Sequence, residues 1–208
     1  MQNAQTVRGA GAWMGAPDRA RYVALLRGIN VGGKNVIAMT ALRAAFEALR
    51  FTDVTTYIQS GNVLFTTRKA AGGPARLARD IEKALAAELG YTGLVVVRSH
   101  AQMRDVVTNA PTGFGRAPDR YRYDVLFLQA PLSAAETLPS ISTREGVDAA
   151  YEGEGVIYFS RLISRVTQSH LLRLVSLPIY KQMTVRNWNT TARLVELMDR
   201  PTVSAERS

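Results

Sequence analysis

From Arg21 onward, short apolar runs alternate with stretches of helical spacing. RYVALLRGI (21–29) is apolar on both parities and predicts a strand covered on both faces. Thr40 is expected to cap a helix whose Leu42, Phe46 and Leu49 share one side. VTTYIQ (54–59) and VLFTT (63–67) predict two strands joined by a hairpin turn at Ser60-Gly61-Asn62. Pro74 opens a second helix with Leu77, Ile81, Leu85 and Leu89 as its buried stripe, and LVVVRS (94–99) predicts a fourth strand.

This order, strand-helix-strand-strand-helix-strand, is the split βαβ pattern of ferredoxin-like folds. It recurs after a helix near 102–109 and the loop PTGFGRAP (111–118). RYDVLFLQ, DAAYEG, VIYFS and MTVRNW supply four strands. A short helix near 134–138, one containing Leu171, Leu174 and Val175, and a last one over 191–198 supply the rest. The expectation is an α+β chain of two tandem ferredoxin-like units with antiparallel sheets. Residues 1–20 read as a mobile tail, 21–100 as the first unit, 101–119 as a connecting helix and loop, and 120–208 as the second unit with a C-terminal helix. The duplication rests on element order alone.

Composition narrows the chemistry. With 47% hydrophobic residues in 208, the chain can bury a sizeable core. No apolar run approaches the roughly 18 residues that span a bilayer, and the amino end lacks the order of a signal peptide, so a cytoplasmic protein without membrane contact is expected. The absence of cysteine excludes disulfides and thiolate chemistry, and His100 and His170 are the only histidines. Neither a metal, nor another cofactor, nor a Ser/His/Asp triad is expected. The net charge is +9, and from 155 to 195 there are Arg161, Arg165, Arg173, Lys181, Arg186 and Arg193 but no Asp or Glu. A solvated face normally mixes signs, so a block of one sign points to an anionic ligand or partner.

Four stretches, LLRGINVGGKN, TYIQSGN, the FSR at Phe159–Arg161 and TVRNWNT, together resemble a bacterial family known as domain of unknown function 1697. The resemblance runs from about Tyr22 to Met198. It implies tandem ferredoxin-like units and no established activity.

Gly28 to Asn35 reads GxxxxGKN, one letter from a phosphate loop. Such a loop needs a helix starting at its lysine, but Val36-Ile37-Ala38-Met39 intervene before Thr40, and Asn35 replaces the hydroxyl that would ligate magnesium. A nucleotide triphosphatase is therefore disfavoured. Strand direction still brings polar loops together. Arg27, Asn30, Lys34 and Asn35 after the first strand should neighbour Ser60 and Asn62 at the start of the third. In the second half, Ser160, Arg161, Lys181, Arg186, Asn187, Asn189 and Thr190 should gather beside the amino end of the last helix, with Arg161 and Arg186 adjacent on the most positive surface. A blander account makes Trp188 core and Asn189 or Thr190 a cap. The favoured reading is a binding module for a phosphate- or carboxylate-bearing small ligand. RNA or single-stranded DNA binding is the alternative, as is an enzyme acting on a phosphorylated substrate, for which Glu152 and Glu154 are the available bases.

Overall fold

The computed structural model describes residues 19–30, 36–68 and 72–201. The chain order is β1 (Arg19–Leu26), α1 (Met39–Ala48), β2 (Thr52–Tyr57), β3 (Asn62–Arg68), α2 (Gly73–Leu89), β4 (Val95–Ser99) and α3 (His100–Thr108). It continues with β5 (Tyr121–Leu128), α4 (Ala134–Thr137), β6 (Asp148–Gly153), β7 (Val156–Leu162), α5 (Leu171–Ser176), β8 (Met183–Asn187) and α6 (Trp188–Asp199). Short 3₁₀ turns flank α4 and α5. The strands form two four-stranded antiparallel sheets with matching orders, β2-β3-β1-β4 and β6-β7-β5-β8.

The double apolar parity of the central strands has a direct cause. Tyr22, Ala24 and Leu26 face α1 and α2, whereas Val23 and Leu25 face α3 and α6. Val125 and Phe127 face the same α3–α6 layer from the other side, and Leu126 and Leu128 pack outward against α4 and α5. The middle core is thus shared by the two sheets, and α3 and α6 fill it with Met103, Val106, Leu194 and Met198.

Several boundaries differ from expectation, and three of them matter most. Thr40 is not a cap: α1 starts one residue earlier, after Ala38, and has no side-chain cap bond. The final helix starts at Trp188 rather than Thr191, because the Asn187 side chain accepts from the Thr190 N–H at 2.7 Å and closes the first turn. β1 starts at Arg19, so the last two residues of the expected tail belong to a strand, while residues 1–18 lie outside the described part. Among the described residues, no helix is long and apolar enough to cross a membrane.

Two buried arginines tie the sheets together. Arg98 stands opposite Val23 in the first sheet, and Arg186 opposite Val125 in the second. Arg98 Nη2 donates to the carbonyls of Leu128 (2.6 Å) and Gly155 (2.9 Å). Arg186 Nη2 donates to the carbonyls of Leu26 (2.8 Å), Ser60 (3.1 Å) and Gly61 (3.3 Å), and its Nε to Asn62 Oδ1 (2.5 Å). The acceptors correspond: Leu26 N–H bonds the Gly61 carbonyl as Leu128 N–H bonds that of Gly155. Each fourth-strand arginine therefore grips the end of the other sheet's first strand and its hairpin turn. Burial pulls both guanidinium groups down to about 10, which leaves them charged at neutral pH. Gly61 is required in this joint, because its φ is +72° and a Cβ there would collide with Ile29 Cγ2 and lie 2.9 Å from Leu26 Cβ.

Candidate functional site

A cleft of about 740 Å³ lies on this seam. Arg27 and Gly28 at the end of β1, Ser60 in the β2–β3 turn, and Asn187 and Thr190 at the start of α6 all line it, so loops from both halves meet in one place. The Arg27 guanidinium lies over the Tyr180 ring, 4.7 Å from its centroid. Its side chain makes no hydrogen bond or ion pair among the described residues. Its carbonyl is fixed by the Tyr91 hydroxyl at 2.7 Å, and burial pushes that phenol up to about 12, so it stays a donor at any ordinary pH.

Asn30 and Asn62 build the loop rather than line the cleft. Asn30, in the left-handed region with φ 53°, donates to the carbonyls of Ile37 and Gln59 at 3.1 Å each and accepts from the Ile37 N–H at 2.8 Å. Asn62 is fully buried; it donates to the Tyr57 carbonyl and to Ser60 Oγ while accepting from Arg186. Lys34 and Asn35 lie outside the described residues.

The second cluster does not assemble as expected. Arg161 stands opposite Arg122 and Arg186 opposite Val125, which puts their side chains on opposite faces of the sheet. Arg161 Nη2 bonds Asp124 Oδ2 at 3.1 Å. Burial pushes the Asp124 carboxyl upward, and Arg161 opposes that shift. Arg186 is buried rather than exposed, with all its donor groups engaged, so it contributes positive field to the cleft but no free donor. Lys181 is exposed in the 3₁₀ turn before β8, Asn189 is exposed in the first turn of α6, and Ser160 faces a different cleft. Trp188 packs edge-on against Phe114, 5.3 Å between centroids, and the cap is Asn187 rather than Asn189 or Thr190. The expected arginine pair fails because residues 161 and 186 lie on opposite sides of one sheet. Glu152 and Glu154 are exposed in the β6–β7 hairpin and do not line the cleft.

Sequence reasoning missed Arg98, Tyr91 and Tyr180. A signal for the first was present. Val97-Arg98-Ser99 and Val185-Arg186-Asn187 each place an arginine after apolar strand residues and before a helix-capping side chain, and both Ser99 and Asn187 do cap. The repeat is short, but its chemistry is specific: an arginine in a buried strand must find several acceptors.

The cleft therefore offers a free guanidinium, a serine hydroxyl, the first turn of a twelve-residue helix and a buried positive charge. Among the described residues no carboxylate lines it, so they supply no carboxylate base for proton transfer.

No curated protein matches the chain. Among solved structures it is similar to the conserved bacterial protein SP0830 from Streptococcus pneumoniae, at 27% sequence identity and a TM-score of 0.76, covering 87% of this chain and 99% of that one. The family model described as protein of unknown function (DUF1697) matches residues 19–158, more than half of the chain, and the protein belongs to that family.

Proposed function

We propose that the protein is a cytoplasmic binding module for a small ligand bearing a phosphate or carboxylate, held in the seam cleft. The observation that carries this reading is Arg27, laid over Tyr180 with no hydrogen-bond or ion-pair partner among the described residues, in a cleft with no acidic lining residue among them. Its planar fork can grip an anion bidentately. Asn187 and Thr190 bring the start of α6 to the cleft, where the positive end of the helix would favour negative charge. Ser60 would add a hydroxyl, Arg186 a buried charge, and Lys34 and Asn35 belong to the loop that continues from Arg27. On the same reading each half is a ferredoxin-like unit with a trailing helix, over 21–100 and 120–208. Matching strand orders and the paired arginines support that division.

Titration with inorganic phosphate and pyrophosphate, followed by amide NMR, tests the proposal. Arg27→Ala should weaken binding by about 1.5–3 kcal/mol, roughly ten- to 150-fold, while Lys181→Ala leaves it unchanged. Phosphate affinity indifferent to Arg27→Ala would sink the reading. A steep loss of oligonucleotide affinity with salt would instead favour nucleic acid, since one enclosed anion releases few counterions.

A further inference from the structure

A separate cleft of about 600 Å³ lies over the start of β5, where the loop at Pro111–Phe114 meets the edge strand β6. Register sets its floor. Tyr123, Ser160 and Ala149 stand in one row across β5, β7 and β6, so the two small residues lie side by side beside an aromatic one. Tyr121 and Tyr123 have ring centroids 6.0 Å apart, and Phe114 holds Tyr123 edge-on at 4.8 Å. On the far side Tyr151, 44% exposed, closes the slot from the edge strand. The result is a narrow floor between aromatic walls.

Asp148 also lines the slot, with its Oδ2 accepting from the His170 N–H at 2.8 Å, but the hydroxyls there have no partner among the described residues. Ser160 is only 8% exposed, and its hydroxyl, which has no hydrogen-bond partner among the described residues, opens into the slot. None of the hydroxyls of Tyr121, Tyr123 and Tyr151 has such a partner either. Among the described residues no arginine or lysine lines the slot, though Arg120 lies over the Tyr121 ring at 5.7 Å, and Asp148 gives the lining a carboxylate, so it differs in kind from the seam cleft.

We propose that this slot binds a flat nitrogen heterocycle of the nucleobase class, stacked against the tyrosines over Ala149, with the Ser160 hydroxyl bonded to its edge. A hydrocarbon ring would leave Ser160 unpaired. A heterocycle offers a face to the tyrosines and a donor or acceptor to the serine, which matches both features at once. The volume lies within the range of roughly 300–1,000 Å³ typical of small-molecule sites.

The test uses the full chain titrated with adenosine and uridine, and with an eight-residue deoxyadenosine oligomer, observed by ligand NMR. At least one of the three should bind saturably. Tyr151→Ala should weaken that binding roughly tenfold, as loss of one stacking face does. Ala149→Leu fills the floor and should abolish it, and Arg27→Ala in the other cleft should not change nucleoside affinity. Binding of free nucleosides assigns the ring to a small molecule; binding of the oligomer alone assigns it to a strand. Either supports the slot. Should Ala149→Leu perturb the circular dichroism spectrum, Ser160→Ala, which removes only the hydroxyl, takes its place and must weaken binding. No binding of any probe at millimolar concentration overturns the proposal, as does affinity indifferent to the floor variant. Phosphate titration reports on the seam cleft separately, so either reading can fail without the other.

Discussion

Replacing Arg186 with leucine is expected to destabilise the protein by about 2–4 kcal/mol. The guanidinium has six acceptors, and two of them are left in difficulty when it goes. Asn62 is fully buried and its Oδ1 has no other donor among the described residues; the Leu26 carbonyl is bonded at 2.8 Å and Leu26 is fully buried too. The Ser60 carbonyl, beside the cleft, can turn to water, and that of Gly61 keeps the Leu26 N–H. An orphaned buried acceptor costs about 1–3 kcal/mol, so two cost about 2–6. Removing a buried charge returns some desolvation energy, and that recovery sets the upper end of the net figure lower.

Such a loss is a large fraction of a domain's usual stability of about 5–15 kcal/mol. Urea unfolding followed by circular dichroism measures it, and hydrogen exchange shows whether opening begins around Leu26 and Asn62. A double-mutant cycle with Asn62→Leu should give a coupling of about 1.5–3 kcal/mol, the value of a charge-assisted bond. A loss below about 1 kcal/mol, the level of an exposed arginine, would refute the reasoning and return Arg186 to the pool of ligand-binding side chains.

Arg161→Leu should cost about 2–4 kcal/mol by stranding the nearly buried Asp124, and adding Asp124→Leu should recover most of it; a double variant less stable than the single would refute the pairing. At the α3–α6 contact, the His100 and Arg104 bonds pull Asp199 below the ordinary carboxylate value of 3.8. A depressed carboxylate stabilises the fold above its unfolded pKa and loses that contribution as pH falls through the folded one, so wild type and Asp199→Asn should differ in urea midpoint at neutral pH and converge as the pH falls below the ordinary carboxylate range. A difference that stays constant as the pH is lowered through the carboxylate range would contradict this assignment.

Much of the strand-and-helix framework was legible because the apolar residues of β1, β5 and β7 occupy both parities and turn residues punctuate them. Local capping was less so. Thr40 has the right chemistry for a cap, yet α1 begins before it, and Asn187 was read as a strand end although its side chain starts a helix. The meeting of Arg27 and Ser60 with Asn187 and Thr190 followed in part from strand direction, but their union in one cleft depends on how the halves dock. That docking hides Arg186. Its strand pattern says which face it takes, and only the second sheet's burial against the first says that this face is closed. An uninterrupted block of positive charge looked like a surface because acids that answer it lie elsewhere in the chain, Asp124 for Arg161, or because carbonyls replace acids altogether, as for Arg186.

The reciprocal arginines also explain why equivalent places in the two halves can serve different ends. Arg27 follows the last residue of β1 and Gln129 the last residue of β5, and each lines a cleft beside the arginine that crosses the seam, Arg186 in one case and Arg98 in the other. The joint fixes the backbone of both positions, because the carbonyls gripped by those arginines belong to Leu26 and Leu128, one residue earlier. Side chains at 27 and 129 are therefore free to differ without disturbing the fold. One half carries a cation there and the other a neutral amide, and the first turn of the following helix contributes Thr190 to one cleft and Gln102 to the other. Selection for packing alone has no need of an unpaired guanidinium over a tyrosine at only one of two equivalent corners. The asymmetry is the physical reason to look for the anion beside Arg27.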